Sequence, residues 1–132
     1  MARTVAYLTT EIVTRLHDDQ IALYGGLSGV RDRSALLSAL AQPEQVVFGQ
    51  ELHVSLFDKA AAHCFHIARS HPFSDGNKRT AFACGHFFLG LNGWELFGFT
   101  NDEVVDLMND IAQGRYEKPE LAALFAARSR IA

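Results

Sequence analysis

The stretch HPFSDGNKRTAFACGHFFLGL, residues 71–91, puts a polar segment directly before an almost uniformly apolar one. The apolar part, residues 80–91, is hydrophobic nearly all round a helical turn, which predicts the central helix of an all-α bundle. Pro72 prevents a helix on its N-terminal side from continuing through it. The polar part therefore lies between two helices and surrounds the N-terminus of the buried one.

The other helices are predicted from apolar periodicity and from the residues that begin and end them. Thr9 or Thr10 can cap a first helix, which Gly25 and Gly26 stop, with Ile12, Val13, Leu16, Leu23 and Tyr24 on its buried side. Asp32 can cap a second helix, RSALLSALA, which ends before Pro43, and Ser55 and Asp58 form a capping box for a third over residues 56–71. The fourth, central helix is expected to begin at Asn77 or Lys78 and to stop at Asn92-Gly93. Thr100 and Glu103 form a box for a fifth helix that Gly114 stops, and Pro119 begins a sixth.

One segment, PEQVVFGQEL at residues 43–52, does not fit the helical pattern. It is too short for a helix and carries Val46, Val47 and Phe48 between a proline and a glycine, which predicts an extended flap or a short hairpin. The sequence as a whole predicts an all-α fold, a single domain over residues 1–132, with six helices and this one extended excursion.

Composition limits the classes of partner. Twelve Lys and Arg residues against fifteen Asp and Glu residues give a net charge of −3, without the basic excess or stripe that is typical of nucleic-acid binding. Cys64 and Cys84 lie in apolar runs, as buried thiols in a reducing cytosol do. The N-terminal residues lack a signal-peptide pattern, and the longest apolar stretch, residues 81–91, is far shorter than the ~20 residues of a membrane span. We therefore expect a cytoplasmic protein that binds neither nucleic acid directly nor a membrane.

The polar segment is suited to binding an anion. The first backbone N–H groups of a helix are unpaired and lie at the positive end of its dipole. Gly76 can take a positive φ or approach a ligand closely. Lys78 and Arg79 add two cations in the first turn, where the dipole disfavours cations, so a multiply charged anion would offset both.

Each polar residue also has a purely structural alternative. Asp75 can cap the helix, His71 can bond late carbonyls of the preceding helix, Arg79 can form an ion pair, and Asn77 can serve a turn. Together, however, they supply what phosphoryl or nucleotidyl transfer needs: a base near the acceptor hydroxyl, a carboxylate for Mg²⁺ and donors to the phosphates.

The remaining histidines suggest other hypotheses. His63, His66 and His71 with Cys64 suggest a zinc site, and His63 and His66 are one helical turn apart, but no further cysteines or acids complete the set. His86, on the apolar central helix, is expected to be a hydrogen-bonded core residue.

The segment HPFSDGNKR, residues 71–79, resembles the signature of Fic-fold proteins, His-x-Phe-x-Asp/Glu-Gly-Asn-x-Arg. The stretches YGGLSGVRDRSALLSALAQP (residues 24–43), KAAAHCFHIARSHPF (residues 59–73) and FFLGLNGW (residues 87–94) extend a resemblance to the death-on-curing (Doc) toxins over nearly the whole chain. The resemblance implies an all-α Fic core with a flap over the site. It also implies that His71 is the general base, Phe73 anchors the loop, Asp75 binds Mg²⁺ on the nucleotide, Gly76 and Asn77 line an anion hole, and Arg79 clamps phosphate oxygens.

Two positions depart from the pattern of adenylylating Fic enzymes, which usually have Gly at Lys78 and a second Arg at Phe82. The Lys-Arg pair resembles the death-on-curing branch, in which ATP binds the other way round and its γ-phosphate goes to a threonine of elongation factor Tu. The resemblance therefore implies a Ser/Thr protein kinase that uses ATP and Mg²⁺, with Lys78 and Arg79 at the phosphates. It further implies the toxin of a type II toxin–antitoxin system that arrests translation and is held inactive by a Phd-like antitoxin. Fic-type adenylyl transfer and a non-catalytic Fic-like regulator are the alternatives.

Overall fold

The computed structural model describes residues 4–132 of the 132-residue chain. Within this part, six α-helices and a few short strands are present, so the all-α prediction is confirmed. The helices are α1 (Thr10–Tyr24), α2 (Arg33–Ala41), α3 (Leu56–Ser70), α4 (Asn77–Leu91), α5 (Asn101–Ala112) and α6 (Lys118–Ala127). The other elements are a 3₁₀ turn (Gln42–Glu44) and the strands β1 (Val46–Val47), β2 (Gln50–Glu51), β3 (Trp94–Leu96) and β4 (Ser129–Ile131). No helix among the described residues is long and apolar enough to cross a membrane.

Side-chain caps begin most of the helices at the positions that the sequence predicts. The predicted cap hydrogen bonds from the side chains to the first helical turn are made by Thr9, Asp32, Ser55 and Thr100. The box expected at α5 is incomplete, because the Glu103 carboxylate binds Arg128 Nη2 at 2.8 Å rather than the backbone of Thr100. At α4 the cap position is Gly76, which has φ +72° and no side chain to cap with.

Helix α3 lies at the centre of the bundle and packs most extensively against α4 and α6. Small side chains permit this close packing, since the three residues 60–62, all alanine, are fully buried. On α4, Gly85 has the same effect, because a Cβ there would lie 3.1 Å from Cε2 of Phe125 on α6. The central helix is therefore α3, with α4 beside it, which corrects the expectation that α4 alone occupies the centre.

Helix α4 is buried on one side only, contrary to the prediction from its apolar composition. Cys84 and Phe88 are fully buried, whereas Phe87 is 39% exposed and His86 is also exposed. The expectation of a hydrogen-bonded core histidine at position 86 was wrong. His86 lies one helical turn after Phe82, and this spacing places it on the side of the helix that faces a groove.

The expected buried side of α1 is confirmed at Ile12, Val13 and Leu16, which are buried or pack against the core, but not at the end of the helix. Val13 and His17, four residues apart, are buried, whereas Leu23 and Tyr24 are 71% and 62% exposed. Leu23 is six residues after His17, a spacing that turns it roughly 120° away on a helix. Tyr24 lies in the last turn, where the guanidinium of Arg79 lies over its ring, 5.0 Å from the ring centroid.

The segment between α2 and α3 contains a short antiparallel hairpin, which confirms the predicted flap. Val46 and Val47 of β1 pair with Glu51 and Gln50 of β2, and the turn between them bears a fully exposed Phe48. The hairpin is attached to α3 by the buried ammonium group of Lys59. The Nζ of Lys59 donates to the Glu51 carboxylate at 3.1 Å and to the backbone carbonyls of His53 and Val54.

A second antiparallel strand pair, between β3 and β4, was not predicted. Trp94 pairs with Ile131 and Leu96 pairs with Ser129, so the end of the chain returns to the segment that follows α4. The Arg130 guanidinium reinforces this pairing, because its Nε donates to the Glu95 carboxylate at 2.7 Å.

Candidate active site

The polar segment forms a loop that is fastened to the connection between α1 and α2. Pro72 and Phe73 are buried, and the Pro72 carbonyl accepts hydrogen bonds from the backbone N–H groups of Arg31 (2.8 Å) and Asp32 (3.0 Å). Phe73 makes an isolated β-bridge with Val30. The aromatic side chain therefore anchors the loop in the core.

His71 ends α3 and presents its ring to solvent. Its backbone has φ 49°, a left-handed conformation that is uncommon for a residue with a side chain. Its backbone N–H donates to the Ile67 carbonyl, and its own carbonyl accepts from Nη2 of Arg31. The ring nitrogens have no hydrogen bond within residues 4–132, so the ring does not bond the last carbonyls of α3. An exposed imidazole with both nitrogens free is available to accept a proton.

Asp75 is exposed and does not cap α4, although it lies directly beside the cap position. Its Oδ2 accepts the backbone N–H of Leu27 at 2.9 Å, and its backbone carbonyl lies 2.7 Å from Nε2 of His17. Oδ1 has no protein partner in the described part of the chain. The carboxylate is thus held in position at one oxygen and free at the other.

Asn77 closes the loop with its side chain. Its Oδ1 accepts the Phe73 N–H at 2.9 Å, and its Nδ2 donates to the Phe73 carbonyl at 3.0 Å. The amide side chain therefore serves the turn, which was the structural alternative. Only the backbone N–H of Asn77 remains available to line an anion site.

The N-terminus of α4 presents a group of unpaired backbone donors. The first helical hydrogen bond runs from the Thr80 N–H to the Gly76 carbonyl at 3.0 Å. The N–H groups of residues 77–79 precede that bond and have no acceptor among residues 4–132, and no side chain caps them. Unpaired amides at a positive helix end favour a bound anion.

Lys78 and Arg79 extend to opposite sides of this helix start. Lys78 Nζ donates to Oδ1 of Asn109 on α5 at 2.9 Å. Arg79 Nη2 donates to the Gly25 carbonyl at the end of α1 at 3.2 Å, and its buried Nε has no partner. Within the described chain neither cation pairs with a carboxylate, so the ion-pair alternative for Arg79 is not observed.

A groove of about 640 Å³ begins beside Arg79 and runs between α4, α5 and the end of α1. Its lining is mainly apolar and includes Phe82, whose ring packs edge-on against Phe99 at 5.3 Å between centroids. His86 and Gln20 are among its few polar residues. The position at which a second arginine would stand is therefore an aromatic part of the groove wall.

Comparison with known proteins identifies the family. The Fic/DOC family matches residues 7–89, which include the flap, α3 and the whole motif loop. The chain belongs to the Fic/DOC family.

Two relatives cover most of this Fic/DOC chain. It is similar to "Toxin Doc" of Mycolicibacterium smegmatis, with 41% identity over 104 residues that span 78% of this chain and 80% of the relative. It is also similar to "Protein kinase doc" of Escherichia phage P1, with 32% identity over 116 residues that span 88% of this chain and 90% of the relative.

Sequence reasoning missed one residue at the Fic/DOC motif, His17 of α1. Its side chain is 1% exposed, and its ring stacks on Phe73 with 3.9 Å between centroids and 6° between planes. The available signal was its spacing of four from Val13, which puts a polar side chain on the buried face of an amphipathic helix.

His63 and His66 of α3 and the two cysteines are not part of this site. The rings of His63 and His66 do not combine with other ligands, since the described residues contain no group of three or more metal-ligating side chains. Burial lowers the pKa of His63 to about 3 and that of His66 to about 4, where Lys118 also contributes. Cys64 and Cys84 are buried free thiols, and burial raises the pKa of both.

Proposed function

We propose that this protein is a toxin that phosphorylates a Ser or Thr hydroxyl of a target protein, with ATP as phosphate donor and Mg²⁺ as cofactor. The names of the two relatives, a Doc toxin and a Doc protein kinase, support the class of activity. The observation that carries the proposal is local. The free ring of His71 lies at the same short loop as the uncapped start of α4 and its two cations.

In this reaction His71 would act as general base. The acceptor oxygen forms a bond to the γ-phosphorus, and the bond from that phosphorus to the bridging oxygen of ADP breaks. The hydroxyl proton passes to a ring nitrogen of His71, which is free to accept it. The exposed position of the ring suits a protein substrate, because a side-chain hydroxyl on another surface can reach it.

The remaining motif residues would hold the phosphates. The unpaired N–H groups of Gly76 to Arg79 supply donors at the positive helix end, and Lys78 and Arg79 supply charge on either side of it. Asp75 fits a metal role, because one of its oxygens is fixed by Leu27 and the other is free. Mg²⁺ bound there would neutralise phosphate charge.

The choice of γ-phosphate over adenylyl transfer rests on positions 78 and 82. Phe82 lies in the apolar groove wall, so a phosphate bound in the groove beside position 82 would find no positive charge there. Lys78 instead adds a positive charge in the first turn of α4. We infer that ATP binds with its γ-phosphate toward His71. Elongation factor Tu is the proposed target, with arrest of translation as the consequence.

Isotope labelling tests the reaction. With purified elongation factor Tu, label from γ-³²P-ATP should reach the target and label from α-³²P-ATP should not. His71→Ala and Lys78→Ala should abolish labelling while circular dichroism shows an intact fold, and Arg15→Ala, at an exposed site on α1, should label like the wild type. Transfer of the α-label would establish adenylyl transfer instead. Growth arrest by a folded His71→Ala variant would indicate a non-catalytic regulator.

We also propose an antitoxin partner, of the Phd-like kind, whose segment occupies the apolar groove beside Arg79. The name of the toxin relative and the position of the groove next to the motif support this proposal. Val105→Glu, in the groove wall and 57% exposed, should leave toxicity intact but weaken rescue by the co-expressed antitoxin. Leu37→Glu, at an exposed position on α2 outside the groove, is the matched control. Full toxicity in the presence of every neighbouring gene product would contradict the proposal.

A further inference from the structure

His17 contacts the motif loop at two points. Its Nε2 lies 2.7 Å from the Asp75 carbonyl oxygen, and the face of its ring lies on the ring of Phe73. A carbonyl oxygen has no proton to give, so Nε2 carries the hydrogen and donates it. The buried side chain of His17 therefore contacts both ends of the segment from Phe73 to Asp75.

The bonded carbonyl fixes the orientation of a peptide unit at the anion site. In a planar trans peptide the C=O and the following N–H point in opposite directions. Because the Asp75 carbonyl points toward the buried ring of His17, the Gly76 N–H points away from it. No acceptor within residues 4–132 receives that N–H, and it directly precedes the unpaired amides of residues 77–79.

The same contact affects the Asp75 side chain. The carboxylate accepts the Leu27 N–H at 2.9 Å with the Asp75 backbone in its present orientation, so a rotation of that backbone would displace the acceptor oxygen. The space around this peptide is tight, since a Cβ on Gly76 would lie 3.7 Å from Nε2 of His17 and 3.2 Å from Cδ1 of Ile21. An apolar side chain at position 17 would fill the volume but would leave the Asp75 carbonyl unpaired.

We infer that His17 is a positioning residue for the phosphate site: its N–H to the Asp75 carbonyl sets the direction of the Gly76 amide and of the Asp75 carboxylate. The phosphate part of this inference rests on the proposed function, whereas the effect on loop geometry does not require a ligand.

Two substitutions separate the hydrogen bond from the ring. His17→Gln keeps an N–H at the same number of bonds from Cβ and removes the ring, while His17→Phe keeps a stacking ring and removes the donor. We expect His17→Phe to weaken Mg-ATP binding about tenfold, the effect of one hydrogen bond, with a melting temperature near that of His17→Gln. His17→Gln should bind Mg-ATP within about threefold of the wild type. His63→Phe, at another buried histidine, should leave the affinity unchanged.

Nuclear magnetic resonance of the ligand-free protein gives a second readout. The amide proton of Leu27 should lie downfield in the wild type and in His17→Gln, because it donates to a carboxylate, and should move upfield in His17→Phe. In the wild type, Hε2 of His17 should exchange slowly with solvent. This measurement does not depend on the folding of any variant.

Three outcomes would overturn the inference: an unprotected Hε2 in the wild type, equal affinities of the wild type and His17→Phe, or an equal loss in both variants. If the Leu27 resonance behaves as expected but the wild type does not bind Mg-ATP, the positioning of the loop stands and the proposed function fails.

Discussion

The buried ring of His63 should make the fold sensitive to mild acid. The side chain is fully buried, and neither ring nitrogen has a hydrogen-bond partner in the described chain. Burial lowers its native pKa to about 3, and the neighbouring His53 and His66 contribute in the same direction. The unfolded chain therefore binds the proton below a pH of about 6.5 while the native protein does not, so stability falls as the pH drops through that value and stops falling near pH 3.

The size of the effect follows from the two pKa values. Between pH 7.5 and pH 5.0 the free energy of unfolding should fall by about 2 kcal/mol on account of His63, because each pH unit below about 6.5 contributes about 1.4 kcal/mol. His66, whose native pKa is lowered to about 4, adds a smaller loss of the same sign because its ring is only half-buried.

Urea denaturation at the two pH values measures this loss. His63→Leu removes the ring and its unpaired nitrogens, so at pH 7.5 it should be close to the wild type in stability. At pH 5.0 it should be more stable than the wild type by about 2 kcal/mol. His86→Gln, at an exposed position on α4, is the matched control and should keep the pH dependence of the wild type. If His63→Leu loses as much stability as the wild type between pH 7.5 and pH 5.0, the reasoning from burial is refuted.

Three further substitutions test the loop and the flap. Asp75→Asn should hardly change the melting temperature, because the amide oxygen can still accept the Leu27 N–H. The same variant should bind ATP in the presence of Mg²⁺ at least about tenfold more weakly in calorimetry, and an unchanged affinity would exclude a metal role for Asp75. Gly76→Ala should lower the free energy of unfolding by about 1–2 kcal/mol in urea, because the φ of Gly76 is +72°. Gly90→Ala, in the last turn of α4 where a Cβ would meet nothing within 4 Å, should not lower it; equal stabilities of the two variants would contradict the strain. Lys59→Met should lower the free energy of unfolding by about 1–3 kcal/mol and should make the flap more sensitive to limited proteolysis. An unchanged cleavage rate would show that Lys59 does not anchor the flap.

The helices were predictable because their signals are local. Thr9, Asp32 and Ser55 lie within a few residues of the amides that they cap, and apolar periodicity identifies the helix that follows each of them. The pairing of β3 with β4 was not predictable in the same way. Its strands have three residues each, and Trp94 and Ile131 meet only because α5 and α6 fold between them.

The candidate site was predictable in part for the same reason. His71, Asp75 and Arg79 lie within one short segment, so their proximity needs no knowledge of the fold. His17 is 58 residues from its partner Asp75, and only the packing of α1 on the start of α4 brings the two together. Composition misled the prediction at His86, because an apolar helix can still have one side open to a groove.

The two cations at the start of α4 now have a more specific interpretation. Their charges oppose the helix dipole, and in the described chain neither is neutralised by an acid. Asn109 Oδ1 and the Gly25 carbonyl accept hydrogen bonds from Lys78 and Arg79, but neither group carries a negative charge. Asp75 is close enough to supply one at the cap, yet its carboxylate is bonded to the loop after α1 instead. An anion bound between the two cations would meet the uncapped amides and both positive charges at once, and this is the physical argument for the proposal that the phosphates of ATP bind there.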